Sequence, residues 1–200
     1  MRARNLRTVG ALAALYVLPL ALAFYLYYGS GWRPPGHVNR GTLIDPPRQL
    51  PELALPLVVA EGANSHAAGA DTGGKALRGT WTLVAIGAGG CNSDCDRALA
   101  VMRQVHLALN RDMSRVARMY IATGPCCAGA LARGEPGVLV VASGAPGVER
   151  VLGQFPAAGR ETSVFVVDPL GNLMMSYDAR SDPRGLLIDL RQLLRLSHIG

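Results

Sequence analysis

The feature that most constrains this chain is an uncharged run of 21 residues, 8–28, of which 18 are hydrophobic. As a helix with a rise of about 1.5 Å per residue, the run would be about 30 Å long, the thickness of a bilayer core. Three arginines precede it, and three tyrosines and Trp32 lie at its far end, as is typical of the two membrane interfaces. We therefore predict one N-terminal transmembrane helix, with residues 1–28 as cytoplasmic N-terminus and anchor.

A cleaved signal peptide is the alternative, because residues 21–23 (ALA) fit a small-residue cleavage site. The apolar run continues for five residues beyond that site and ends in an aromatic cluster, which favours the anchor. Either interpretation places the remainder of the chain outside the cytoplasm.

Charge and composition exclude several classes of protein. Half of the residues are hydrophobic and 17% are charged, which is too apolar for a disordered chain. The formal net charge is +6. Half of it comes from Arg2, Arg4 and Arg7, which by the positive-inside rule keep the N-terminus in the cytoplasm. No block of Lys and Arg remains beyond the apolar run, so we predict a membrane contact and no nucleic-acid partner.

Two segments separate the apolar run from the regular part of the chain. Residues 29–52 hold five prolines and no helical periodicity, and we predict that they form a Pro-rich extended tether. The domain is then predicted to span 53–200. Its first part holds one short apolar stretch, 53–59, that suits an edge strand, and a loose Ala- and Gly-rich stretch, 61–79.

From Thr80 onward, short β-branched runs alternate with segments of helical periodicity. This alternation predicts an α/β fold with a mostly parallel sheet. The order of elements, in which a cysteine-bearing helix follows the first strand and a hairpin precedes the last helix, is that of a thioredoxin-like domain. The predicted strands are 81–86, 118–123, 138–142, 163–167 and 173–177, and the predicted helices begin near residues 92, 146 and 182.

Cys91 and Cys95 lie where the first of these strands ends and a helix begins. Unpaired backbone N–H groups and the helix dipole stabilise a thiolate at such a position. A thiolate is both a nucleophile and a soft ligand that selects Cu(I), and three intervening residues let both sulfurs face one ion. Asp94 and Asp96 oppose thiolate formation and favour a bound cation. The alternative is that the four cysteines of the chain form two structural disulfides.

Cys126 and Cys127 follow the next strand, which in the thioredoxin order neighbours the strand that leads to Cys91. Both strands then end at the same edge of the sheet. We hypothesise that all four cysteines cluster there, allowing dithiol exchange or additional thiolate ligands for a metal. A vicinal disulfide or two inert thiols is the alternative.

The strand 80–84 (TWTLV), the C-x-x-x-C motif and the hairpin 168–171 (DPLG) together resemble the Sco/SenC family over roughly residues 78–197. Segments 182–186 (DPRGL) and 39–44 (NRGTLI) are similar to a Sco-like branch of bacterial transmembrane proteins. The resemblance implies a membrane-anchored, thioredoxin-like copper chaperone that assists assembly of the dinuclear copper centre of cytochrome c oxidase. It also implies that Cys91 and Cys95 are the metal-binding cysteines.

One departure from the family affects the metal site. The resemblance implies a third ligand, a histidine about nine residues before the proline of the hairpin, and this chain has Arg160 there. A cation at that position disfavours Cu(I) and favours a thiolate. We therefore expect either Cu(I) delivery or reduction of copper-ligand cysteines by the Cys91/Cys95 dithiol.

The predicted location is the bacterial inner membrane, with a single span and the C-terminal domain in the periplasm. The predicted partner is the oxidase subunit that carries the copper site. Two other functions remain open at this point: a general thiol–disulfide oxidoreductase, and a Sco-like scaffold without redox or copper activity.

Overall fold

The computed structural model describes residues 2–29, 39–52, 57–59, 77–88, 92–125, 131, 134–144, 146–197 and 199, with side chains omitted at 2–7 and 57–59. The chain divides into two compact units, Met1–Val38 and Asn39–Gly200.

The N-terminal unit is one helix, α1, at Arg2–Phe24, continued by a wider turn at Tyr25–Gly29. Its stretch Thr8–Gly29 is long and apolar enough to cross a membrane, as residues 8–28 predict. The large apolar side chains along this stretch are exposed. Stacking of Phe24 on Tyr28, with ring centroids 5.4 Å apart, orders the aromatic end of the helix.

The described residues of the second unit form seven strands: β1 Thr42–Gln49, β2 Leu57–Val59, β3 Trp81–Gly87, β4 Val116–Ala122, β5 Val138–Val141, β6 Ser163–Val167 and β7 Asn172–Asp178. These strands make one sheet in the order β1-β7-β6-β3-β4-β5-β2. Strands β3, β4 and β5 are parallel, whereas the other neighbours pair antiparallel. The sheet is therefore mixed, and the expectation of a mostly parallel sheet holds only for its centre, because β6 and β7 form a hairpin and β1 and β2 add at the edges.

Helices cover both faces of the sheet. On one face, α2 (Ser93–Ala108) and α4 (Pro183–Leu196) enclose a core that includes Leu83, Tyr120 and Cys95. On the other face, α3 (Val148–Leu152) lies over a second core that includes Phe155 and Phe165. A 3₁₀ turn, Asn110–Arg115, connects α2 to β4. Side chains of a strand alternate between the two faces of the sheet, and helices cover both faces. The central strands β3 and β4 are therefore buried along their whole length.

The structure differs from the predicted tether, 29–52, in its second half. Thr42–Gln49 forms the edge strand β1, which pairs with β7 from Thr42↔Ser176 to Gln49↔Asn172. The register shifts between Leu43 and Arg48, where Pro46 and Pro47 interrupt the ladder. Edge strands tolerate prolines because one side of the strand needs no hydrogen-bond partner. The first half, 30–38, lies outside the described residues.

Candidate functional site at the cysteine-bearing edge

Strands β3 and β4 end together, and the chain after each of them leads to cysteines. Gly87 pairs with Ala122 in the parallel register, and Thr123 donates from its backbone N–H to the Gly87 carbonyl at 2.9 Å. Cys91 comes four residues after Gly87, and Cys126 comes four residues after Ala122. The two strands therefore end at the same edge of the sheet, and the cysteines follow them in the sequence. Cys91, Cys126 and Cys127 lie outside the described residues, so their predicted clustering stays a prediction.

Cys95 lies in the first turn of α2, where local sequence determines its environment. Asn92 caps the helix, and its side-chain oxygen accepts a hydrogen bond from the backbone N–H of Cys95 at 3.0 Å. This makes Cys95 the third residue of the helix, at the positive end of the helix dipole. Its side chain is only 3% exposed and is disulfide-bonded. Cys95 is thus a buried cysteine at the positive end of a helix dipole, which favours a thiolate.

Asp94, the residue before Cys95, is paired with Arg180. The Arg180 guanidinium donates to both carboxylate oxygens of Asp94, at 3.2 Å from Nε and 3.0 Å from Nη2. This hydrogen-bonded cation lowers the pKa of the Asp94 carboxyl below its ordinary value. The carboxylate that directly precedes Cys95 in the sequence is therefore paired with a cation from a residue 86 positions away.

Arg160 stands at the position where the family resemblance implies a histidine, and its guanidinium binds backbone carbonyls. Its guanidinium donates to the backbone carbonyls of Phe155, at 2.8 Å, and Pro156, at 3.3 Å. Phe155 belongs to the core on the α3 face, whereas Cys95 belongs to the core on the α2 face. The expectation that Arg160 supplies the cation at the cysteine site is not supported, because backbone carbonyls on the opposite side of the sheet hold its charge. Arg180, rather than Arg160, pairs with Asp94, the residue before Cys95.

The described residues contain no group of three His, Cys, Asp or Glu side chains that could hold a metal ion. They therefore supply no third ligand for copper. His106 is half-buried, and its Nε2 lies 3.0 Å from the Met113 carbonyl and 2.9 Å from the Val116 carbonyl. Burial, together with the charge of Arg118, lowers the pKa of His106. This histidine is therefore a structural residue that holds the end of α2 to the start of β4.

Tyr120 contacts the residue that follows β3, a contact that the sequence did not predict. The buried tyrosine hydroxyl donates to the Ala88 carbonyl at 3.2 Å, at the point where β3 passes into the segment before Cys91. A Cβ on Gly87 would lie 2.5 Å from the same hydroxyl, so a glycine is needed there. The signal in the sequence was the glycine cluster after β3, but its partner lies on another strand.

Comparisons with known proteins bear on the fold. A family model described as transmembrane-like, thioredoxin-like, C-terminal domain matches residues 81–197. No curated protein sequence matches the chain.

Three solved structures are similar in fold. Yeast Sco1 with copper bound is 13% identical, with a TM-score of 0.53, covering 62% of this chain and 83% of that one. A SCO1/SenC family lipoprotein from Bacillus anthracis is 13% identical, with a TM-score of 0.50, covering 76% and 99%. A putative electron transfer protein from Aquifex aeolicus is 14% identical, with a TM-score of 0.51, covering 74% and 96%. These likenesses confirm the predicted thioredoxin-like fold.

Proposed function

Because the chain belongs to the transmembrane-like family with a thioredoxin-like C-terminal domain, we propose that it is a membrane-anchored assembly factor for a copper-containing cytochrome c oxidase. It acts through Cys91 and Cys95, and its partner is the oxidase subunit that carries the copper site. The observation that carries the proposal is the placement of Cys95. It lies buried in the capped first turn of α2, at the edge where β3 ends.

The apolar helix supports the anchored location. Thr8–Gly29 is long enough to span a bilayer, and its exposed apolar side chains suit a lipid environment. With three arginines before it, the positive-inside rule orients the N-terminus to the cytoplasm. The thioredoxin-like domain then lies in the periplasm of a bacterial inner membrane.

Cys91 is the disulfide partner that we propose for Cys95. Cys95 is the third residue of α2, and a side chain at that position reaches back towards the residue that caps the helix. Cys91 directly precedes the cap, Asn92. Cys126 and Cys127, which follow β4 in the sequence, are the alternative partners that disulfide mapping by mass spectrometry would detect.

Two reactions of the dithiol serve the proposed role. In one, the two thiolates carry Cu(I) as cargo to the oxidase. In the other, the dithiol reduces a disulfide between the copper-ligand cysteines of the oxidase. Two electrons and two protons pass to those cysteines, a Cys91–Cys95 disulfide forms, and an extracytoplasmic thiol donor later reduces it again. The disulfide at Cys95 is consistent with the reductive reaction, in which this sulfur must be able to form a disulfide.

An anaerobic Cu(I) titration of the full chain in detergent micelles, competed against a chelator, separates the two reactions. Tight binding that is lost in Cys91→Ser/Cys95→Ser but kept in Cys126→Ser/Cys127→Ser supports copper delivery. Absence of binding, together with exchange of the Cys91–Cys95 disulfide with glutathione, supports reduction. If neither occurs, the chain is a scaffold.

Oxidase specificity needs a test in cells. In a deletion strain, the full chain should restore the activity of the copper-containing oxidase, and Cys91→Ser/Cys95→Ser should not. If unrelated disulfide proteins of the periplasm are affected to the same degree as the oxidase, the protein is a general thiol–disulfide oxidoreductase.

A further inference from the structure

We propose that the solvent-facing side of α4 docks on the anionic phospholipid headgroups of the membrane that holds the anchor. This side, the basic face, consists of Arg184, Ile188, Arg191 and Arg195. The inference rests on the anchored location in the proposed function, and it does not depend on the chemistry of the cysteines. It assigns a role to a helix surface that the dithiol does not use.

The basic face forms one row because its residues follow the helical repeat. Positions 184, 188, 191 and 195 recur at steps of three and four residues, which places them on the same side of a helix. All four residues are exposed. The opposite side of α4 packs into the core through Leu186, Leu190 and Leu194. The basic face is therefore a solvent-facing row of three cations around one apolar side chain.

The positive charge of the basic face is not cancelled by nearby carboxylates. Among the described residues, none of its three arginines forms an ion pair. Arg191 donates to the Ala108 carbonyl at 2.6 Å, a neutral acceptor that leaves its charge in place. The acidic residues of this segment have other partners, since Asp182 caps the helix and Asp189 accepts from the backbone N–H groups of residues 40 and 41. A surface with several unpaired cations suits an anionic partner.

Exposed apolar side chains accompany these cations. Leu196, in the last turn of α4, is 70% exposed, and Ile188 is 48% exposed. Leu107 of α2 is 61% exposed and directly precedes Ala108, whose carbonyl binds Arg191. Arginine mixed with exposed leucine and isoleucine is typical of helices at a membrane interface. There the guanidinium reaches the headgroups while aliphatic groups contact the acyl boundary.

The chain that comes from the anchor enters the domain at the same helix. The Arg40 N–H donates to Asp189 of α4 at 2.6 Å. An added Cβ on Gly185 would lie 3.1 Å from the Arg40 side chain, so Arg40 contacts the first turn of α4. Arg40 is itself exposed and adds a further cation beside the basic face.

The connection between the anchor and this point of entry is short. Nine residues, 30–38, separate Asn39 from the apolar stretch Thr8–Gly29. Even a fully extended chain of this length spans only about 35 Å. The basic face therefore stays within reach of the headgroups around the anchor. Anionic headgroups attract basic residues that lie close to a transmembrane helix.

The test uses the full chain in lipid nanodiscs that each hold one copy, so that a second copy cannot cover the face. One set contains phosphatidylcholine alone, and the other contains about one third phosphatidylglycerol. Phenylglyoxal, an uncharged reagent, modifies exposed arginines, and mass spectrometry gives the rate at each residue. Arg184, Arg191 and Arg195 should react at least about threefold more slowly in the anionic nanodiscs. Arg150, exposed on α3, is the control and should react at the same rate in both. About 1 M salt, which reduces the screening length to about 3 Å, should remove the difference.

Variants test whether the charge of the basic face causes this protection, with Arg191 as the residue that is measured. Arg184→Gln/Arg195→Gln should abolish the slower reaction of Arg191 in the anionic nanodiscs. Arg184→Lys/Arg195→Lys keeps the charge and should retain it. Arg48→Gln/Arg150→Gln is the matched control, because it removes two exposed charges at or beside α3 and should change nothing.

Three results overturn the proposal. The first is equal rates in both kinds of nanodisc, and the second is an equal slowing of Arg150. The third is slowing that occurs only after the oxidase subunit with the copper site is added, which would make the face a protein interface. A chain that separates from the nanodiscs on gel filtration has no anchor, and the anchored location then fails together with the docking. Equal rates in a chain that stays with the nanodiscs disprove the docking alone.

Discussion

The buried carboxylate of Asp189 on α4 accepts a hydrogen bond from the backbone N–H of Arg40 at 2.6 Å. The Gly41 N–H donates to the same oxygen at 3.1 Å, and the Tyr177 hydroxyl is a third donor. Gly185 lies against Arg40, where an added Cβ would be 3.1 Å from that side chain. The segments 39–44 and 182–186, noted separately in the sequence, thus meet where the chain enters the domain.

We predict that Asp189→Ala destabilises the domain by about 3 kcal/mol, because three donors lose a charged acceptor. Asp189→Asn, which keeps one acceptor oxygen, should cost less. Ile188→Ala is the control, since this neighbouring side chain is 48% exposed. Chemical denaturation of the full chain in micelles, followed by tryptophan fluorescence, measures the differences. Equal effects of Asp189→Ala and Ile188→Ala would contradict the role assigned to this carboxylate.

The contact between Gly87 and Tyr120 predicts a non-additive pair of substitutions. Gly87→Ala should destabilise by about 2 kcal/mol, because the new methyl group meets the tyrosine hydroxyl. Tyr120→Phe removes that hydroxyl at a cost of about 1 kcal/mol for its hydrogen bond to Ala88. In the double variant the clash is relieved, so its loss of stability should be smaller than the sum of the two. Additive losses in a double-mutant cycle would show that the two residues do not interact.

Glu135 compensates a buried charge on a central strand. Arg118 of β4 has a side chain only 8% exposed, and its Nη1 lies 3.9 Å from a Glu135 carboxylate oxygen. Arg103 of α2 binds the same carboxylate but is 49% exposed. We expect Glu135→Gln to cost about 3 kcal/mol, since it leaves Arg118 buried without a counter-charge. Arg103→Gln should cost about 1 kcal/mol or less. Thermal unfolding of both variants checks this order, and the reverse order would rule the explanation out.

His106 predicts a loss of stability in acid. Burial and the neighbouring Arg118 hold its pKa below the ordinary value of 6.5. Between that value and the lower pKa of the folded protein, the unfolded chain binds more protons, so the free energy of unfolding falls as the pH decreases. The contribution is fully present above pH 6.5. Urea unfolding at pH 7.5 and 5.5 should show a larger decrease for the unmodified protein than for His106→Gln. An identical decrease in both proteins would exclude His106 as the source.

Local signals accounted for much of the fold. Ser163–Val167 forms the strand predicted over the same residues, because a run of β-branched residues between polar turns has few alternatives. Asp182 and Pro183 begin α4 as predicted, since a capping side chain and a proline in the first turn act within a few residues. The edge strand at Thr42–Gln49 was missed because its prolines and exposed side chains lack the alternation that marks a strand.

For the site, local patterns sufficed to predict that Cys91 and Cys95 flank a helix cap after a buried strand, because capping and strand signals act within a few residues. Which cation pairs with Asp94 depended on the folded chain. It directs Arg160 to backbone carbonyls on the α3 side of the sheet and brings Arg180 to Asp94 across 86 residues of sequence. The direction of a long cationic side chain depends on acceptors supplied by distant elements, and those become neighbours only when the sheet has formed.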